Sequence, residues 1–130
     1  MRAVAATAAL ALLAGCVGRP PVLQSDRSPD GRLVARVIRT GDGPTPGGLT
    51  LDIGAGASGP FTTIAELSGW SEPFPVRWSG PLAVAARLPC ATTALRGPMV
   101  QRIMLPDSKG PITVTLTRPP QCRLPITRLQ

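Results

Sequence analysis

The chain has 130 residues, with 14 Lys and Arg against 7 Asp and Glu, no His, and a formal net charge of +7. This length bounds it to one small domain with a modest core. The absence of His removes the commonest general base and the commonest zinc ligand, so hydroxyl-nucleophile catalysis and metal chemistry start without their usual partners. The four aromatics are Phe61, Trp70, Phe74 and Trp78. They are too few and too scattered for a basic stripe with stacking rings, so nucleic-acid binding is not expected.

Met1-Arg2 supplies a short positive segment, and Ala3 to Leu13 is apolar apart from Thr7. That length suits the hydrophobic region of a signal peptide and falls short of the roughly 20 residues needed to span a bilayer. It ends in Leu13-Ala14-Gly15-Cys16, with small residues where a peptidase must fit the backbone. This ending resembles the lipobox of bacterial lipoproteins. The resemblance implies export, diacylglycerol attachment to the Cys16 thiol and cleavage before it. It also implies a membrane partner through the covalent lipid and a location in the cell envelope facing the periplasm. Val17, rather than aspartate, follows the cysteine; within that class this implies the outer membrane over the inner.

Removal of residues 1–15 takes Arg2 away and leaves 13 basic against 7 acidic residues, a formal +6. Such a surface favours anionic partners, namely lipid headgroups, lipopolysaccharide or an acidic polymer. The arginines, from Arg32 to Arg128, are spread along the sequence. They read as a solvated face set by composition. Residues 16–27 contain Gly18, Pro20, Pro21, Ser25 and Asp26 and read as the lipidated N-terminus and a tether, with the β domain occupying 28–130.

Ser28-Pro29-Asp30-Gly31 places Ser at i, Pro at i+1 and Gly at i+3 of a type I turn. Short apolar and β-branched runs bounded by Gly and Pro follow: Leu33–Arg39, Leu49–Ile53, Phe61–Leu67, Pro75–Trp78, Leu82–Leu88, Met99–Leu105 and Ile112–Thr117. The last alternates cleanly, as a half-buried strand does. Sixteen prolines and fourteen glycines leave no room for a long helix after residue 14. About seven short strands predict an all-β fold, a small antiparallel β-sandwich or curled meander. Gly41 to Gly48 reads as a hairpin loop. The tail from Pro119 to Gln130 reads as held by Cys122 alone.

The Ser-Pro-Asp-Gly turn, with Val76-Arg77-Trp78 some 45 residues later, resembles a family of small uncharacterised bacterial proteins, many of them lipoproteins. The resemblance spans about residues 28–88. It implies an all-β fold and contributes no active site. The same pieces recur in propeller blades, but the chain has no repeat.

Cys90 and Cys122 remain once Cys16 is lipidated, and an even pair in an oxidising compartment reads as a disulfide. Gly54-Ala55-Gly56-Ala57-Ser58-Gly59 fits a dinucleotide fingerprint, which requires a helix after the third glycine. Pro60 and Phe61-Thr62-Thr63-Ile64 read instead as turn and strand. Ser108 beside Lys109 reads as a turn rather than a nucleophile and its base. Trp78 reads as core, while Trp70 sits in a loop. No cofactor, metal or enzymatic activity is expected. The function expected is that of a structural or interaction protein contacting an envelope protein through a sheet edge or loop, with a binding module for an anionic envelope component as the alternative.

Overall fold

Alternation along the chain sets which side of each strand is dry. In Val34-Ala35-Arg36-Val37, Ala35 and Val37 are fully buried while Val34 and Arg36 are only partly covered. Ile112-Thr113-Val114-Thr115-Leu116 behaves the same way, with the three aliphatic residues buried and the threonines between them partly exposed. Period-two patterns of this kind need a partner layer to receive the apolar side. The protein resolves this with two stacked sheets. The structure is a computed structural model that describes residues 21–40, 47–56, 59–68, 73–106, 108–123 and 125–129.

Ten strands are described: β1 (Val22–Arg27), β2 (Val34–Thr40), β3 (Gly48–Gly54), β4 (Phe61–Ser68), β5 (Val76–Gly80), β6 (Ala83–Arg87), β7 (Ala94–Arg96), β8 (Val100–Ile103), β9 (Ile112–Thr117) and β10 (Thr127–Leu129). One sheet has six strands in the order β1-β2-β3-β4-β7-β10, and the other has four in the order β5-β6-β9-β8. The fold is all-β, a small β-sandwich, as expected. The core between the layers takes Leu33, Val37, Leu51, Ile53, Leu67 and Leu95 from the larger sheet's side, and Val76, Trp78, Val84, Ile112, Val114 and Leu116 from the smaller.

The seven expected runs all contain strands, but three further strands were not anticipated, and the sheets are mixed rather than purely antiparallel. β6 pairs with β9 in parallel, and β7 pairs with β10 in parallel. Residues 22–27, expected as tether, form β1 and pair antiparallel with β2, with Arg27 opposite Val34. The domain therefore begins six residues before Ser28. β1 has only two aliphatic residues; as an edge strand it lies against β2 on one side only. The tail is held by more than Cys122, because Thr127 to Leu129 join the sheet edge as β10. Most of residues 41–48 lie outside the described residues, but Gly48 itself opens β3.

The Ser28-Pro29-Asp30-Gly31 turn joins β1 to β2. The Gly31 N–H donates to the Ser28 carbonyl at 2.8 Å, and Gly31 has φ of 75°, a conformation in which a Cβ is strained. The Ser28 hydroxyl is fully committed: it donates to Asp30 Oδ1 at 2.7 Å and accepts the Leu33 N–H at 3.0 Å. The Ser28 hydroxyl bond, with the Arg32 N–H at 3.2 Å, holds the Asp30 carboxyl below the usual carboxylate range.

Candidate binding surface

The chemistry-bearing residues separate by sheet. From residue 16 to 72 the chain has five arginines and six acids; from 73 to 130 it has seven arginines and one lysine against a single acid, Asp107. The fold converts this division along the sequence into a division in space, because β5, β6, β8 and β9, which form the four-stranded sheet, all come from the second half.

Alternation sends the arginines of that sheet outward. Val76 and Trp78 are buried on either side of exposed Arg77. Val84 and Ala86 are buried, while Ala85 and Arg87 are exposed. On β8, exposed Arg102 alternates with Gln101, whose Nε2 turns inward to the Ile64 carbonyl at 3.0 Å. Register places the outward residues in rows: Arg77, Ala85, Thr115 and Val100 in one, Arg87 and Thr117 in the next on one side, and Ala83, Thr113 and Arg102 in the next on the other. A strand spacing of about 4.8 Å and a rise of about 3.3 Å per residue put Arg87 roughly 8 Å from Arg77, and Arg102 roughly 16 Å from both, measured between Cα atoms. No acidic residue belongs to any of the four strands. Between the arginines stand only Ala, Thr and Val side chains. The result is a cationic face too wide to be filled by one phosphate or carboxylate.

The outer face of the six-stranded sheet is organised differently. There Arg36, Asp52 and Thr63 stand opposite one another on β2, β3 and β4. Asp52 accepts the Thr63 hydroxyl at 2.9 Å and lies 3.8 Å from the Arg36 guanidinium. The guanidinium also stacks 3.4 Å from the centre of the Phe61 ring, a favourable cation–ring arrangement. Phe61 in turn leans over Gly54, the residue opposite it, where any Cβ would collide with the ring and with the Pro60 carbonyl. Glu66 pairs with Arg96 at 3.5 Å. A cleft of about 290 Å³, lined in part by Arg27, Val34, Arg36 and Phe61, opens beside this cluster. Arg36, one of its two arginines, is already engaged by Asp52 and Phe61, so the cleft is a weaker anion site than the opposite face.

The residues singled out from the sequence fall as follows. Cys16, Trp70 and Asp107 lie outside the described residues. Cys90 and Cys122 are joined as a disulfide, with Cα atoms 5.2 Å apart. Parallel pairing of β6 with β9 brings Arg87 opposite Thr117, so both strands leave the sheet at the same end and deliver the cysteines together. Gly54 ends β3, Gly56 and Gly59 have positive φ, and strand β4, not a helix, follows Gly59. That geometry is a hairpin and lacks the helix N-terminus a pyrophosphate needs. The Ser108 hydroxyl donates to the Leu105 carbonyl at 2.8 Å and accepts the Leu105 N–H at 3.1 Å, so it is held as a turn constraint. Among the described residues no three His, Cys, Asp or Glu side chains come together as a metal site.

Trp78 is a core residue with an additional role. Its backbone N–H, on the free edge of β5, donates to Asp26 Oδ2 at 3.0 Å, and its Nε1 donates to the Asp26 carbonyl at 3.0 Å. Asp26 on β1 thereby ties the edges of the two sheets together.

Two of these features went unread in the sequence. The arginine array was signalled by the near-absence of acids after Glu72 and by arginines placed out of phase with buried neighbours, as in Val76-Arg77-Trp78. Nothing local signalled Asp26 as the partner of Trp78, which is 52 residues away. No family model, no curated protein and no solved structure matches the chain.

Proposed function

We propose that the chain is a lipid-anchored lipoprotein of the bacterial cell envelope whose β-sandwich is a non-catalytic binding module for an anionic envelope component. The observation that carries the binding role is the outer face of the four-stranded sheet, whose strands carry Arg77, Arg87 and Arg102 and no acidic residue, and where among the described residues none of the three arginines has a carboxylate partner. Cations spread over a surface attract extended anions and do so in a salt-dependent way. The anchor rests on Leu13-Ala14-Gly15-Cys16. Two acyl chains hold a protein stably where one does not, so the reading places the module at a membrane, facing the periplasm, with the outer membrane favoured by Val17.

Binding of the mature protein carrying Cys16→Ser to isolated envelope membranes should fall steeply as salt is raised from low to physiological concentration. Salt-independent binding would argue for apolar contact instead. Separately, Cys16→Ser should abolish incorporation of labelled fatty acid in cells; labelling equal to wild type would remove the anchor from the proposal.

A second reading, a structural or interaction protein of the envelope, is favoured by one observation. β10 is a sheet edge whose three residues are all exposed, with Leu129 41% accessible. An open edge can accept a strand from another protein. Crosslinking that captures one defined envelope protein, lost when Thr127–Leu129 are deleted, would favour this reading over the first.

A further inference from the structure

The β1 strand shortens the tether, and the shortening decides where the arginine face can go. We propose that the domain lies on its own membrane, with the outer face of the four-stranded sheet against anionic phosphate headgroups. This rests on the reading that Cys16 carries the lipid. Only Val17 to Pro21 separate Cys16 from β1. Fully extended, those residues reach about 20 Å, less than the roughly 30 Å diameter expected of a domain this size. A leash of this length keeps the domain within about 20 Å of the bilayer at all times, so an attractive face need cross only a short gap to reach it.

Charge selects the side. The six-stranded sheet presents Asp52 and Glu66, each already beside an arginine, and the β1–β2 turn presents Asp30. That side also carries exposed Arg27, Arg32, Arg39 and Arg128, but its carboxylates offset part of their charge, so it gains less at an anionic membrane than a face with no acid on its strands. The four-stranded sheet presents Arg77, Arg87 and Arg102 with no acid on its strands. Its intervening residues, Ala83, Ala85, Thr113, Thr115 and Thr117, are short, so the long arginine side chains set the contact plane and can reach several headgroups at once. Val100, 59% exposed in the same row as Arg77, adds an apolar contact at that plane. Entry of the chain agrees with this placement: β1 is held to the β5 edge of the sheet through Asp26 and Trp78, so the tether arrives on the β5 side of the sandwich.

The test uses the mature chain from residue 16 with Cys16→Ser, so that no lipid contributes, in cosedimentation with vesicles. Vesicles of phosphatidylcholine mixed with phosphatidylglycerol should bind it, and vesicles of phosphatidylcholine alone should not. Each arginine near an anionic surface contributes about fivefold in affinity, so Arg77→Gln, Arg87→Gln and Arg102→Gln together should weaken binding about 100-fold. The charge-matched set Arg32→Gln, Arg39→Gln and Arg128→Gln, on the other sheet's side, should change it only a few-fold. Circular dichroism melts show whether both sets remain folded; none of the six side chains belongs to the core. Equal loss by the two sets, or binding indifferent to phosphatidylglycerol, overturns the proposal. Binding to soluble polyphosphate without binding to vesicles also overturns it, while leaving the anionic-module reading intact. Failure of the anchor itself shows only in the fatty-acid labelling.

Discussion

Replacing Cys90 or Cys122 by serine is expected to lower the melting temperature of the β domain by about 15 °C, with the double variant little worse than either single one. The bridge joins residues 32 apart. Closing a loop of that length stabilises a fold by about 3.5–4 kcal/mol in the chain-entropy treatment, and a domain of about 100 residues loses about 4 °C or more for each kcal/mol. The location supports a value near the full one. β6 and β9 are already neighbours that exit at the same end, so the cysteines meet without redirecting either strand, and the bridge fastens the start of the segment that returns to form β10. The Cys90 carbonyl also accepts a bond from the Arg118 guanidinium at 3.3 Å. Calorimetry with and without reductant checks the magnitude. Mass spectrometry of the protein purified without reductant checks the bridge itself, and free alkylation of both thiols would contradict it.

Truncating Trp78 to Ala should cost about 3–5 kcal/mol, the usual range for removing a large buried aromatic. That is a large part of the stability of a domain this small. Two lesser changes separate packing from the link between sheets. Trp78→Phe keeps much of the ring and the backbone N–H but removes Nε1, and should cost on the order of 1 kcal/mol in hydrogen bonding beyond its packing loss. Asp26→Ala leaves the ring intact and strips the acceptor from the Trp78 N–H on the edge of β5, for about 1.5–3 kcal/mol. Asp26→Ala removes the bond from the Trp78 N–H to the Asp26 carboxylate, and Trp78→Phe removes the separate bond from Nε1 to the Asp26 carbonyl, so the two costs in urea denaturation should be close to additive in the combined variant. A double variant no worse than Asp26→Ala alone would mean that the Nε1 bond contributes nothing to holding the sheets together.

The strands that were legible beforehand are those whose apolar residues alternate over five or more positions and end at Gly or Pro. β9 and β2 are the clearest. The three that were missed lack that signal for identifiable reasons. β7 and β10 have three residues each, too few to display a period. β1 is mostly polar, and its one strongly directed side chain, Asp26, is satisfied by a residue on the other sheet. Parallel pairing was equally hidden, since nothing in Ile112–Thr117 states whether its neighbour runs with it or against it. The disulfide was readable from cysteine arithmetic, and the parallel register of β6 and β9 supplies its geometry.

Local chemistry was sufficient to determine an all-β chain, the turn at Ser28–Gly31, a strand rather than a helix after Gly59, and the pairing of Cys90 with Cys122. Each depends on residues close in sequence or, for the cysteines, on reading Cys16 as the lipidated one, which leaves a single pair. Tertiary structure alone decided the proposed binding surface. Arginines dispersed from 77 to 102 along the chain come to share one face only when β5, β6, β9 and β8 are laid side by side in that order. Strand order is settled by which apolar faces bury best against the opposite layer, a property of the whole core that no single segment contains. The same core burial points Arg77, Arg87 and Arg102 outward, because Val76, Trp78, Val84 and Ala86 must point in.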